Sequence, residues 1–169
     1  PDAVRDLEEI VDWPSNAGME AMVRLADGRF VILPEGGDRG LIFRRDPVEG
    51  DAPEAFRFVS PAAGYRATDL AQLPDGRLMV LMRRVVMPSR SAWPPFSTLL
   101  AIGPPPQPGE TFAPQITLRL DSAIPRENYE GLAVRDSADG RVEVWLIADD
   151  NFSAFQRTLL AKLLFDPQA

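Results

Sequence analysis

The chain of 169 residues contains no histidine and no cysteine. That double absence removes every Ser-His and Cys-His catalytic pair, every zinc site built on imidazole or thiolate, and every disulfide. A metal held here must accept oxygen ligands. A chain without thiols suits cytosol and periplasm alike, so cysteine usage does not decide the compartment. Positive charge is also scarce: 18 Lys and Arg stand against 25 Asp and Glu, for a net charge of −7 and a pI of about 4.6. Such a field repels a phosphate backbone, and nucleic acid is not expected as a partner. The longest uncharged stretch, residues 91–109, carries six prolines and cannot be a membrane helix. The chain also opens at Pro1, without Met or an apolar signal region, which sets the expectation that a targeting segment lies upstream.

What is present is 45% hydrophobic and 25% charged, enough apolar material for a real core. Glycines and prolines punctuate short apolar runs, and no segment keeps a 3.6-residue stripe for three turns, so the expected class is all-β. One pattern recurs: an acidic residue near the start of a small apolar strand, then Asp-Gly-Arg, then a second apolar strand. The copies place Glu20 before Asp27-Gly28-Arg29, Asp69 before Asp75-Gly76-Arg77, and Glu130 before Asp139-Gly140-Arg141. Asp-Gly between apolar runs marks a tight hairpin, because both residues tolerate positive φ. The three acids stand 49 and 61 residues apart, near the blade period of a β-propeller. Third strands are expected at 41–43, 97–102 and 158–165, and fourth strands at 55–59 and 115–120, with none left for the third copy. The expectation is a single domain of three four-stranded antiparallel blades, at about 12–60, 61–121 and 122–169, with residues 1–11 as a closing outer strand. Propellers need ~4–8 blades, so three make half of a six-bladed ring. The other half is expected from upstream sequence or from a second copy forming a homodimer.

The segments Asn128-Tyr129-Glu130-Gly131-Leu132 and Asp149-Asp150-Asn151-Phe152 with Gln156-Arg157-Thr158 carry a specific resemblance. Gly18-Met19-Glu20-Ala21-Met22 with Leu33-Pro34-Glu35-Gly36, and Leu73-Pro74-Asp75-Gly76-Arg77 with Arg83-Arg84, agree with it. The chain resembles the carboxy-terminal half of the bacterial domain described as "esterase-like activity of phytase", a β-propeller group usually found in exported proteins. That family often has Glu before the paired arginines, where this chain has Met82. The resemblance implies a periplasmic or secreted setting and a site on the central channel.

First strands of blades line such a channel, so Glu20, Asp69 and Glu130 are expected to converge, with Asp149 nearby. Oxygen ligands at that density suit calcium, with Asn16, Asn128, Asp150 and Asn151 as further donors. The competing reading has these acids bonding backbone amides or arginines. Arg83 and Arg84 stand where the first copy has Glu35 and the third has Asp149 and Asp150, and guanidinium forks fit a small anionic substrate. Ser153 has neither a histidine nor a nucleophile elbow and is not expected to act as a nucleophile. Phe152 and Phe155 are expected to tuck between blades, Trp145 to join the inter-blade core, and Trp93 and Phe96 to cap a blade end or form a lid. Two functions remain open: a metal-dependent hydrolase of phosphorylated or ester substrates, and a non-catalytic periplasmic propeller that binds a protein or envelope ligand.

Overall fold

A computed structural model of the chain describes residues 4–7, 10–11, 18–50, 52–87 and 93–167. Asn16 and residues 88–92 of the proline-rich segment lie outside the described residues. In chain order the strands are β1 (Met19–Arg24), β2 (Phe30–Pro34), β3 (Arg39–Phe43), β4 (Glu54–Phe58), β5 (Arg66–Gln72), β6 (Leu78–Val85) and β7 (Phe96–Gly103). They continue with β8 (Thr111–Phe112), β9 (Gln115–Arg119), β10 (Tyr129–Asp136), β11 (Val142–Ala148) and β12 (Leu160–Phe165). No helix occurs among the described residues, and none is therefore long and apolar enough to cross a membrane. Three sheets result, ordered β1-β2-β3-β4-β8, β5-β6-β7-β9 and β10-β11-β12.

Each sheet begins with the same hairpin. At the first turn Leu25 N–H donates to Arg29 O at 2.7 Å and Gly28 N–H to Leu25 O at 2.9 Å. The second and third turns repeat this with Leu73, Arg77 and Gly76, and with Ser137, Arg141 and Gly140. Gly28, Gly76 and Gly140 sit at φ +91°, +88° and +82°, where a side chain would be strained. The aspartate before each glycine accepts the backbone N–H and the guanidinium of the arginine after it, at 3.0 and 2.9 Å in the first turn. These guanidinium contacts hold Asp27 and Asp75 below the ordinary carboxylate range. Asp-Gly-Arg is thus a complete turn, in which Gly supplies the left-handed residue and the Asp–Arg clip closes it.

The middle sheet is sandwiched, and alternation along β6 shows it. Leu78, Val80 and Met82 pack toward the first sheet with Val31, Leu33, Ile42 and Phe56. Met79 and Leu81 point the opposite way, toward Val142, Val144 and Leu146 of the third sheet. Period-two geometry sends successive side chains to opposite faces, so an unbroken apolar strand fills two cores at once. Polar side chains clasp the inner strands: Thr68 Oγ1 donates to Tyr129 O at 3.2 Å, and Leu132 N–H donates to Asp69 Oδ2.

Two expectations are corrected. Residues 4–7 and 10–11 join no sheet, because Ile10 and Val11 both donate to Leu7 O at 3.0 Å and so form a turn. The segment instead lays Val11, Leu7 and Ile10 over Ile32, Leu41 and Phe43 on the outer face of the first sheet. That sheet also has five strands rather than four. The connection between β7 and β9 reaches back from the second sheet, and its β8 pairs parallel with β4, Phe58 opposite Phe112. The Phe112 ring lies 6.2 Å from that of Phe56 and 6.0 Å from that of Phe58, which anchors the strap by aromatic packing.

Candidate functional site

The innermost strands β1, β5 and β10 each carry a β-bulge at the same place. The register jumps between Met19 and Ala21, between Ala67 and Asp69, and between Tyr129 and Gly131. The skipped residues are Glu20, Thr68 and Glu130. Thr68, not Asp69, is therefore the counterpart of the two glutamates. Asp69 lies one residue further along, and its carboxylate accepts the N–H groups of Leu70 and Leu132. Burial pushes Asp69 above the ordinary aspartate value, against the lowering effect of those two amides.

Just outside the bulges the same register pairs Arg66 with Arg83 directly across the hairpin. The equivalent positions in the other sheets are Gly18 with Glu35 and Asn128 with Asp149, each joined by one backbone hydrogen bond, of 2.9 and 3.0 Å. Like charges placed opposite each other destabilise an antiparallel pair. Glu35 relieves part of that repulsion, at 3.8 Å from both Arg66 and Arg83. Arg83 Nη2 also stands 3.8 Å from Glu130 Oε1, which links all three sheets through one guanidinium. A cleft of about 400 Å³ opens here, lined by Glu35, Gly64, Arg66, Arg83, Arg84 and Val85.

The arginines are held by aromatic rings. Arg83 lies over Phe96 at 5.4 Å from the ring centroid, and Arg84 over Tyr65 at 4.9 Å. Tyr65 is fixed in turn by a buried chain of hydroxyls: its oxygen is 2.6 Å from Ser97 Oγ, which donates to Asp121 Oδ2 at 2.6 Å. Because the single serine proton goes to Asp121, the tyrosine must donate to the serine. Arg126, 3.4 Å from Asp121, balances the carboxylate.

Glu20 faces the same mouth. Burial, together with the charges of Glu35 and Glu130, raises its carboxyl above the ordinary value, and Arg83 pulls it partly back. Glu35 and Glu130 share the Arg83 guanidinium, and Glu20 lies within range of their charges. As arranged, this set does not fit calcium: the Arg83 guanidinium already takes the shared cationic position, and Asp69 is spent on backbone amides. Among the described residues no group of three or more acids is placed to hold a metal ion.

The signature segments serve as clasps around this mouth. Asn128 is buried, and its Nδ2 donates to Glu130 Oε1 at 2.8 Å. Tyr129 is buried, with its hydroxyl donating to Pro125 O. A Cβ on Gly131 would stand 2.4 Å from Ile147 Cγ2, so a larger residue there requires the Ile147 side chain to shift. In the loop after β11, Asn151 donates to Gln156 and Thr158 to Asp150, while Arg157 donates from its backbone and its guanidinium to the fully buried Glu127. Asp149 accepts the Asn151 N–H inside this loop. Ser153 Oγ accepts the Phe155 N–H, an ordinary turn role.

Phe152 and Phe155 do not tuck between sheets. The loop turns through left-handed Asn151 and Phe152, at φ +49° and +54°, and thereby projects both rings into solvent. Phe96 is buried beneath Arg83, whereas Trp93 is half exposed and meets Phe155 edge to face at 6.0 Å. Trp145 lies on the outer face of the third sheet, under the Lys162 amine, and not in the core between sheets.

Arg66 and the equivalence of Thr68 escape a reading aligned on acids. Counting back from the turns finds both, since Glu20 and Thr68 each precede the turn aspartates, Asp27 and Asp75, by seven residues.

A family model described as phytase-like, "Esterase-like activity of phytase", matches residues 1–152, and the chain belongs to that family. No curated protein matches it. Among solved structures, the Cellvibrio cellulosa alpha-L-arabinanase complexed with arabinohexaose is similar at 10% identity and a TM-score of 0.48. That alignment covers 88% of this chain and 54% of the arabinanase. An exo-1,5-alpha-L-arabinanase from a bovine ruminal metagenomic library is similar at 12% identity and TM-score 0.46, covering 88% and 53%. The chain spans about half the length of each.

Proposed function

We propose that this chain contributes an anion-binding mouth to an exported, phytase-like β-propeller hydrolase, with Arg66, Arg83 and Arg84 receiving the anionic group of an ester. The observation that carries the reading is the Arg66–Arg83 pair. A chain of net charge −7 sets two arginines directly opposite each other and a third beside them, with one carboxylate in the lining. Folding alone gains nothing from that repulsion, whereas an incoming oxyanion relieves it through charge-assisted, forked hydrogen bonds. The three sheets act as consecutive blades, and the ring is completed by further blades of the same polypeptide or by a second copy. Scattering and intact mass of the isolated protein separate those two routes.

Titration with inorganic phosphate tests the mouth. Arg84→Ala and Arg83→Ala are each expected to weaken binding by about tenfold or more, the worth of one hydrogen bond to a charged group. Phosphate affinity equal to wild type in both variants overturns the reading. The pairing of Glu35 and Glu130 with Arg83 favours a second reading, a propeller that binds anions without turning them over. Turnover of anionic esters by a protein that binds phosphate decides between the two. Calcium has less support here. The melting temperature is expected to stay unchanged in millimolar calcium, and a rise that Glu130→Gln diminishes would bring the metal back.

A further inference from the structure

Each hairpin turn carries the same chemical hazard. Asp27, Asp75 and Asp139 are exposed, and each is followed by glycine. Glycine has no side chain to shield its backbone nitrogen, which can therefore attack the carboxyl of the preceding aspartate and close a succinimide ring. The Gly nitrogen bonds to Asp Cγ, and the carboxyl hydroxyl leaves with the amide proton as water. The ring then takes water back at either carbonyl. Opening at the former backbone carbonyl leaves isoaspartate, in which the chain runs through the side-chain methylene. No oxidant or cofactor takes part.

Ring closure needs a neutral carboxyl, because a carboxylate is a far poorer electrophile, and a carboxyl carbon free to face the glycine nitrogen. All three turns oppose both conditions. Oδ1 of Asp27, Asp75 and Asp139 accepts the backbone N–H of the arginine two residues on, at 3.0, 3.0 and 3.2 Å. Oδ2 accepts the Nε of the same arginine at 2.9, 2.8 and 2.9 Å. With both oxygens tethered, the carboxylate resists rotation toward the glycine. The guanidinium also keeps it ionised, and Asp139, like Asp27 and Asp75, is held below the ordinary carboxylate range. The attacking nitrogen is engaged as well, since Gly28, Gly76 and Gly140 donate to Leu25 O, Leu73 O and Ser137 O at 2.9, 2.9 and 3.1 Å.

Exposed ion pairs add little to stability, and Asp-Gly makes a turn without help, so neither accounts for an arginine in all three copies. Nor do the guanidiniums share a second partner. Arg29 also donates to Gln107 Oε1 at 3.3 Å and Arg77 to Pro167 O at 2.9 Å, whereas among the described residues the Arg141 guanidinium hydrogen-bonds Asp139 alone. Their common feature is the grip on their own aspartate. We propose that Arg29, Arg77 and Arg141 guard the three Asp-Gly bonds against isoaspartate formation, which makes Asp27, Asp75 and Asp139 latent modification sites that open when the guanidinium lets go. An isomerised turn gains a backbone methylene and no longer fits the positive-φ glycine hairpin that sets the following strand in register.

Ageing the protein at neutral pH and physiological temperature, followed by digestion and mapping of isoaspartate by electron-transfer fragmentation, tests this on the wild type, Arg141→Ala, Arg77→Ala and Arg141→Lys. The two unaltered turns of each variant serve as references within the same molecule. Arg141→Ala is expected to raise isoaspartate several-fold at Asp139 and to leave Asp27 and Asp75 at wild-type levels. Arg77→Ala should do the same at Asp75 alone. Arg141→Lys keeps a charge without the fork and should fall between wild type and alanine. A variant that unfolds shows isoaspartate at all three turns, and the change at the other arginine then decides. Wild-type levels at the altered turn in both alanine variants overturn the proposal.

Discussion

The outer faces of the first and third sheets are both apolar, and the chain treats them in opposite ways. On the first sheet Ile32, Leu41 and Phe43 are sealed under Leu7, Ile10 and Val11. On the third, Ile147, Leu160 and Leu164 are 50%, 67% and 49% exposed. Charge is threaded among them instead. Lys162 lies 4.9 Å from the Trp145 ring centroid and bonds Glu143, which also accepts Arg135. One face is closed by burial and the other is kept wet by ions, and a face of the second kind can accept another sheet without first shedding a cover.

Substitutions on the two faces should widen that contrast. Phe43→Ala empties a sealed core and is expected to cost about 3–5 kcal/mol in denaturant unfolding, against about 0.5 kcal/mol for Leu164→Ala on the open face. Equal costs would mean that the third sheet is also covered in solution. Val11→Ala removes part of the cover itself, and about 1.5 kcal/mol should follow from the lost methyl burial. A negligible change would show that the 4–11 segment does not hold its place.

Lys162→Ala sharpens the comparison from the other side. Loss of its contacts with Trp145 and Glu143 is expected to lower stability slightly and to bare a larger apolar face. Sedimentation should then show stronger concentration-dependent self-association than in the wild type. The smallest effect concerns pH. Hydrogen bonds from Lys162 and then Arg135 lower the Glu143 carboxyl below its ordinary value. Its stabilising contribution is therefore full above the unfolded glutamate pKa and fades as pH falls through the lowered one. Acid titration of stability should lose part of this slope in Lys162→Ala, and an unchanged slope would show that the ion pair is not formed.

The strands and their hairpins were legible because turn chemistry is local: Asp-Gly-Arg states its own conformation three times. The inner strands were legible for the same reason, as each follows directly from its turn. The bulges were not, since a skipped residue changes no residue type. Thr68 bears no resemblance to Glu20 or Glu130 except by its count from Asp75. Asp69 drew the eye as an acid, but its carboxylate serves the backbone of β10. β8 was invisible, because two residues pairing in parallel with a distant strand leave no periodic trace. The outward rings of Phe152 and Phe155 depend on left-handed backbone at Asn151 and Phe152, which no apolar pattern encodes. Arg83 and Arg84 were found by aligning the ends of second strands, a position that the register shows to be equivalent in all three sheets. Arg66 needed the cross-strand pairing itself.

The strap formed by β8 has a consequence for cooperativity. Arg57 N–H donates to Glu110 O, Gly109 N–H to Ala55 O, and Val59 N–H to Phe112 O, so the edge of the first sheet is closed by chain that belongs between strands of the second. Neither sheet can open at that edge without releasing the other. Among the described residues the third sheet has no such tie; it is held by side-chain clasps and by one packed face. Amide hydrogen exchange should accordingly resolve two protected blocks instead of three, with the first and second sheets opening together at the higher free energy. Residues 129–165 would then form the independent and less protected block.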